Sequence, residues 1–329
     1  MINKAVENKF DRTIAQRFVN DMNLPIQVID AETFYYWLVL FQDEYNSLGL
    51  WNDMWDEIDA SFNGDATLFL QHYYDVRDKV IKEVTENEAF KKFNECDMNR
   101  FKIETPLNPK SKEFYNEENV GKYYLSFDLV KSNIQALNYA DTDILFNSKT
   151  YDEFISRFTN SEYIKRSKYF RQVVFGQMNP KRHITIAKYL ISKVYEICKN
   201  KGLNYTLVSV SSDEIVFEIP EATFEHAEIV GDLLPKLVKN ELGLEIRPTW
   251  FKLEMYYLKT RNCPKLTAFY VKRDGNVGKK VKGVPLQYAG LVHKLLNNEM
   301  LLPIDYVFQY EKCKCVFDEI FEIEKIQPK

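Results

Sequence analysis

The sequence predicts an α+β fold, with a mostly helical first part followed by a largely antiparallel sheet that carries helices on one face. Two patterns predict it. From residue 122 onward, β-rich runs and helix-period segments follow the order β, α, α, β, β, α, β, β. Before that point apolar residues recur near helical spacing. In residues 75–93 they are Val76, Val80, Ile81, Val84 and Phe90, which predicts one helix with a charged outer face.

Each element has its own signal. Residues 105–118 are polar with two prolines and read as a linker or domain boundary. Residues 122–129 form a β-rich run that reaches Asp128, and 132–139 suit a helix. Residues 163–174 are basic and aromatic, and 175–180 read as a loop. Residues 181–199 place Ile184, Ala187, Leu190, Ile191, Val194 and Ile197 on one side of a helix. Residues 205–210 and 215–219 are short strands joined by Ser211, Ser212, Asp213 and Glu214, which predicts a hairpin with a polar tip. A helix over 222–240 and strands over 245–258 and 266–272 complete the series. The expected organisation is a helical region (1–118), a catalytic-type domain (119–275) and a basic C-terminal extension (276–329).

Bulk properties narrow the function classes. The net charge is −4, which at first disfavours a nucleic-acid binder, but the charge is unevenly placed. Residues 43–65 hold seven acids and no Lys or Arg. Residues 161–202 hold ten Lys/Arg against two acids, and 247–294 hold eleven against two. Such segments form either solvated faces or a local positive surface for phosphates. The apolar run at 34–41 is far short of the roughly 20 residues of a membrane span. The polar N-terminus lacks the apolar region of a secretory leader. Five cysteines without a framework spacing read as reduced thiols. A cytoplasmic protein is expected. The Asn-, Lys-, Tyr- and Phe-rich composition suggests an AT-rich genome, as in a phage or mobile element.

Two carboxylates stand out. Asp128 lies at the end of an apolar strand and Asp213 at the tip of an apolar hairpin. Acids seldom interrupt such runs unless paired or holding a metal. Taken singly, Asp128 suits a helix N-cap and Asp213 a tight turn. Together they could hold two divalent ions for phosphoryl transfer, since magnesium usually takes only one or two protein carboxylates plus substrate phosphates.

The segment Ser212-Asp213-Glu214-Ile215-Val216-Phe217-Glu218-Ile219-Pro220 resembles motif C of family A DNA polymerases, with serine in place of the usual histidine. Ser126-Phe127-Asp128-Leu129 resembles motif A of polymerase palms, and Phe175-Gly176-Gln177-Met178-Asn179-Pro180 is similar to motif B of reverse transcriptases. The motif B proline before the glutamine and the glycine after it are missing. The order A, B, C is that of a palm, and Asp128 and Asp213 are 85 residues apart, similar to the compact reverse transcriptases. The likeness covers roughly residues 120–275.

It implies a palm-type polymerase in which Asp128, Asp213 and the Leu129 carbonyl hold two Mg²⁺ or Mn²⁺ ions, with Glu214 adjacent. It further implies nucleoside triphosphate contacts from Arg166, Lys168, Arg171 and Gln177. Asn133 stands where palms usually carry an aromatic residue or glutamate that excludes a ribose hydroxyl. A DNA or RNA primer–template would be the partner, with Lys265, Lys272, Arg273, Lys279, Lys280 and Lys282 on its phosphates. A nearby Asp274-Gly275-Asn276 turn would make the same lysines an exposed hairpin. Template-independent addition and an inactive palm that only binds nucleic acid are the competing functions. An unrelated α+β protein is the competing fold. Residues 59–64 only faintly resemble a calcium loop, the histidines show no metal spacing, and there is no Walker loop or GxGxxG.

Overall fold

A computed structural model describes residues 9–111, 113–274 and 278–328, with the backbone alone for 225–228 and 274. The turn expected around Gly275 and Asn276 lies outside the described residues. The fold is α+β, as the sequence predicts. Helices α1 (Arg12–Met22), α2 (Ala31–Leu40), α3 (Gln42–Tyr45), α4 (Ser47–Phe62), α5 (Ala66–Glu86) and α6 (Glu88–Glu95) form the first part. Side-chain caps start several of them. Asp11 accepts from the Ile14 N–H, Asp30 and Thr33 form a capping box, and Asp65 accepts from Thr67 and Leu68. Their apolar faces enclose Trp51, which is fully buried against the rings of Phe18, Phe34, Tyr35 and Trp55.

The single helix expected over 75–93 is two. Asn87 takes an extended backbone, its side chain caps α6 through the Ala89 N–H, and its amide donates to the Asp143 carbonyl at 2.8 Å. An asparagine that offers the backbone a local alternative interrupts a helix otherwise well patterned.

The sheet begins with β1 (Tyr123–Leu129). There follow α7 (Ser132–Ala140), α8 (Tyr151–Ile155), α9 (Glu162–Arg166), α10 (Lys168–Gly176) and α11 (Pro180–Asn200). Then come β2 (Thr206–Val210), β3 (Glu214–Ile219), α12 (Ala227–Leu242), β4 (Ile246–Thr260), β5 (Thr267–Asp274) and β6 (Lys279–Lys282). The strand order is β2-β3-β1-β4-β5-β6 with antiparallel neighbours. β1 and β2 therefore run the same way with β3 between them, and β3 and β4 flank β1 in the same manner: a split βαββαβ core. The chain continues through α13 (Ala289–Leu296), a hairpin of β7 (Val307–Tyr310) and β8 (Cys313–Val316), and β9 (Phe321–Lys325), which pairs with the second half of β4.

Strand alternation sets the two faces. Leu125, Phe127, Leu129, Ile215 and Phe217 join the core shared with the helices. Tyr124, Val208, Val216, Phe251 and Leu253 point to the other face, where Phe114 packs on them. Part of the expected linker lies against the sheet: the Lys110 and Ser111 N–H groups donate to the Leu207 and Val208 carbonyls, and Phe114 covers the second face. The expected loop at 175–180 is also shorter, because α10 runs through Gly176 and α11 starts at Pro180, a residue preset for a first helical turn. Residues 59–64, the faint calcium-loop likeness, are the last turn of α4 and the turn after it. Among the described residues no helix is long and apolar enough to cross a membrane.

Candidate active site

Asp128 and Asp213 come together at one end of the central strand. Asp128 is the penultimate residue of β1, and Asp213 lies in the turn between β2 and β3. The Leu129 N–H donates to the Asp213 carbonyl at 2.8 Å, which fixes the turn beside the strand end. Across β1 and β3, Asp128 stands opposite Glu214, and across β1 and β4 it stands opposite Arg247. Alternation puts Asp128, Glu214 and Arg247 on the face away from the helices.

The three acids are held differently. Asp128 Oδ2 accepts from Arg247 Nη2 at 2.5 Å. Burial pushes the Asp128 carboxyl above its ordinary range; Arg247 opposes this, and the charges of Asp213 and Glu214 add to it. Asp213 is held by hydroxyls, with Ser132 Oγ at 3.2 Å from Oδ2, and Ser211 and Ser212 Oγ at 3.2 and 3.3 Å from Oδ1. Ser211 Oγ also accepts from the Glu214 N–H at 3.0 Å and so shapes the turn. Glu214 pairs with Lys272 at 3.6 Å.

The expected nucleic-acid contacts divide. Lys272 is not a surface cation. Its side chain is 11% exposed, its ammonium lies 4.4 Å from the Phe251 ring centre, and burial pushes its pKa down. Arg273 points to the opposite face and pairs with buried Glu254, which Lys325 also neutralises. Lys279 donates to the Asn297 side chain. Lys280 and Lys282 are exposed on β6, on the same face as Lys272, without an ion-pair partner among the described residues. Lys265 is exposed, with its ammonium 4.9 Å from the Tyr257 ring centre.

The expected triphosphate contacts do not touch the acids. Arg166 pairs with Asp53 on α4 at 2.8 Å, Arg171 packs over the Tyr151 ring at 5.5 Å, and Lys168 is exposed on the first turn of α10. Gln177 caps α10 and is exposed. Asn133 lies in the first turn of α7, half-buried, with no hydrogen bond from its side chain among the described residues. A groove of about 750 Å³ starts at Ser211 and Ser212 and runs past Val210, Pro106, Ile184 and Lys188.

Three residues that matter here escape the sequence pattern. Arg247 and Ser132 contact the acids directly. Gln135 ties the end of β1 to the start of β4: its amide donates to the Val130 and Glu245 carbonyls at 2.6 and 2.7 Å, and its Oε1 accepts from the Glu245 N–H at 2.7 Å. Arg247 lies in a basic segment, which is its only sequence signal.

Among the described residues no three His, Cys, Asp or Glu side chains are grouped to hold a metal ion. Asp128 and Asp213, both partly exposed, are hard oxygen donors of the kind that suits a magnesium-type ion, which keeps waters and substrate phosphates as its other ligands. No protein-family model matches the chain, and no curated protein matches it.

Proposed function

We propose that the chain is a cytoplasmic palm-type nucleotidyltransferase that extends a DNA or RNA primer on a template, using Mg²⁺ or Mn²⁺ at Asp128 and Asp213. The observation that carries this reading is the bond from the Leu129 N–H to the Asp213 carbonyl, which sets two acids 85 residues apart side by side at the end of an antiparallel sheet backed by helices. Divalent ions held there would polarise the phosphoryl oxygens and activate the attacking hydroxyl. The chain's own residues do the rest. Ser132, Ser211 and Ser212 orient Asp213, Lys272 holds Glu214 in place, and Lys280 and Lys282 face the phosphates of a bound strand. Asn133, whose amide bonds to none of the described residues, would hydrogen-bond a ribose hydroxyl instead of excluding it, so dNTPs and NTPs are both accepted.

The test is primer extension with labelled dNTPs and NTPs, in Mg²⁺ and in Mn²⁺, with and without template. Asp128→Asn and Asp213→Asn are each expected to reduce product by at least about a hundredfold while the protein stays folded, since each removes a metal ligand worth several kcal/mol at the transition state. Product that is independent of template would assign the chain to terminal addition. Absence of product beside tight nucleic-acid binding would make it a non-catalytic palm.

A further inference from the structure

We infer that Arg247 exchanges partners during turnover: it holds Asp128 while no cation is bound, and moves onto the nucleotide's phosphates when a divalent ion takes that carboxylate. The inference rests on the nucleotidyltransferase reading above and names the residue that couples its cation to its nucleotide.

The register across β1 and β4 places Arg247 directly beside Asp128, and its Nη2 occupies Oδ2 at 2.5 Å. The guanidinium's charge on that oxygen competes with a cation for the carboxylate. Among the described residues two cations pair with the acids of the site, and they differ in freedom. Lys272 is wedged against Phe251, Phe114 and Tyr115 and is 11% exposed, so it stays with Glu214. The Arg247 side chain is 63% exposed, and Asp128 is its one ion-pair partner among the described residues. Exposed ion pairs are weak, so a divalent ion displaces this one easily. Asp213, by contrast, is held by hydroxyl groups and requires no cation to leave.

The released group has suitable chemistry. A guanidinium presents a rigid fork that matches two phosphate oxygens, which an ammonium does not. It is set free where a metal-bound triphosphate would sit, on the face that carries Lys280 and Lys282. Cation binding and phosphate binding are therefore linked through one side chain, and each strengthens the other.

The experiment is calorimetric titration of Mn²⁺ into the full chain without nucleotide, followed by titration of a non-hydrolysable nucleoside triphosphate into the Mn²⁺-loaded protein. The proteins are wild type, Arg247→Gln, Arg247→Lys and Asp128→Asn, each checked for a native melting curve. Arg247→Gln is expected to bind Mn²⁺ about threefold tighter, because its competitor is gone. The same variant should bind the triphosphate about tenfold more weakly, because a charge-assisted contact is lost. Arg247→Lys should keep ordinary Mn²⁺ affinity and recover only part of the triphosphate affinity. Unchanged or weaker Mn²⁺ binding in Arg247→Gln, with Asp128→Asn still losing it, would make Arg247 a simple staple between strands and overturn the inference while leaving the carboxylate site intact. Wild type that binds no Mn²⁺, or binds it as well as Asp128→Asn does, would overturn both.

Discussion

A buried histidine is the clearest residue-scale liability in the chain. His183 is 2% exposed between the Phe93 and Phe175 rings, and the Met178 backbone only partly offsets its burial. Burial pushes its pKa down to about 4. As pH falls below the ordinary value near 6.5, the unfolded chain takes up a proton that the native chain refuses. Stability is therefore full above about pH 6.5 and falls as pH drops toward 4, by about 3 kcal/mol at most, with no further loss from this group below that. His183→Phe removes the titrating group and keeps the ring. In urea unfolding between pH 7 and 4, wild type should lose stability relative to this variant; parallel curves would show that the ring is solvated in the native state. Position 183 also shows what one residue's identity conceals. A histidine without metal spacing is visible in the sequence, whereas its burial depends on two phenylalanines from α6 and α10 that only the fold brings to it.

At the scale of elements, the site depends on how the end of β1 is tied to the start of β4. Gln135, one turn into α7, makes three hydrogen bonds across that seam, next to the backbone bond from the Val130 N–H to the Glu245 carbonyl. Gln135→Ala should cost about 0.5–1.5 kcal/mol, because the Val130 carbonyl and the Glu245 N–H lose a partner at a partly exposed seam while the Glu245 carbonyl keeps the Val130 N–H. Denaturant unfolding measures the cost, and a change under about 0.5 kcal/mol would mean that water replaces the amide. The strands β1 to β5 were legible in the sequence, because alternation and a polar hairpin tip survive without tertiary information, whereas β6 to β9 lie in the stretch expected only as a basic extension. Alternation assigns a face to each residue but not its cross-strand neighbour. That is why Asp128 and Asp213 could be found, while Arg247, set opposite Asp128 by register alone, could not. Lys272 and Arg273 were grouped against alternation itself: adjacent in one strand, they point to opposite faces, one to Glu214 and the other to Glu254.

The whole molecule has more than one core. The largest runs from the N-terminal helices to the helix-facing side of β1 and β3. A second, around Tyr256, Leu258, Phe269, Leu291 and Phe321, belongs to the far half of β4 with β5, α13 and β9. Contacts between the C-terminal part and α2 are substantially polar. Lys294 and Tyr36 converge on buried Asp305 at 2.9 and 2.6 Å, and Gln27 exchanges two bonds with the Gln309 backbone. Close approach is permitted at one point by Gly290, where a Cβ would meet the Trp37 ring. Polar seams between separate cores favour local unfolding over a single cooperative transition. Phe321 is the test, being 4% exposed and in ring contact with Tyr288, Tyr306 and Phe317. Phe321→Ala should cost about 3–5 kcal/mol, a typical penalty for emptying such a ring site. Because the ring serves only the second core, the loss should be local. Hydrogen exchange followed by mass spectrometry should show faster exchange in β5, α13 and β9, with α4, α5, β1 and β3 still protected. Uniform loss of protection would mean that the long strand β4, which pairs with β1 in its first half and β9 in its second, couples the two cores into one folding unit. In the local case the carboxylate end of β1 keeps its geometry while the C-terminal part opens, so the Mn²⁺ binding proposed at Asp128 and Asp213 would survive the substitution.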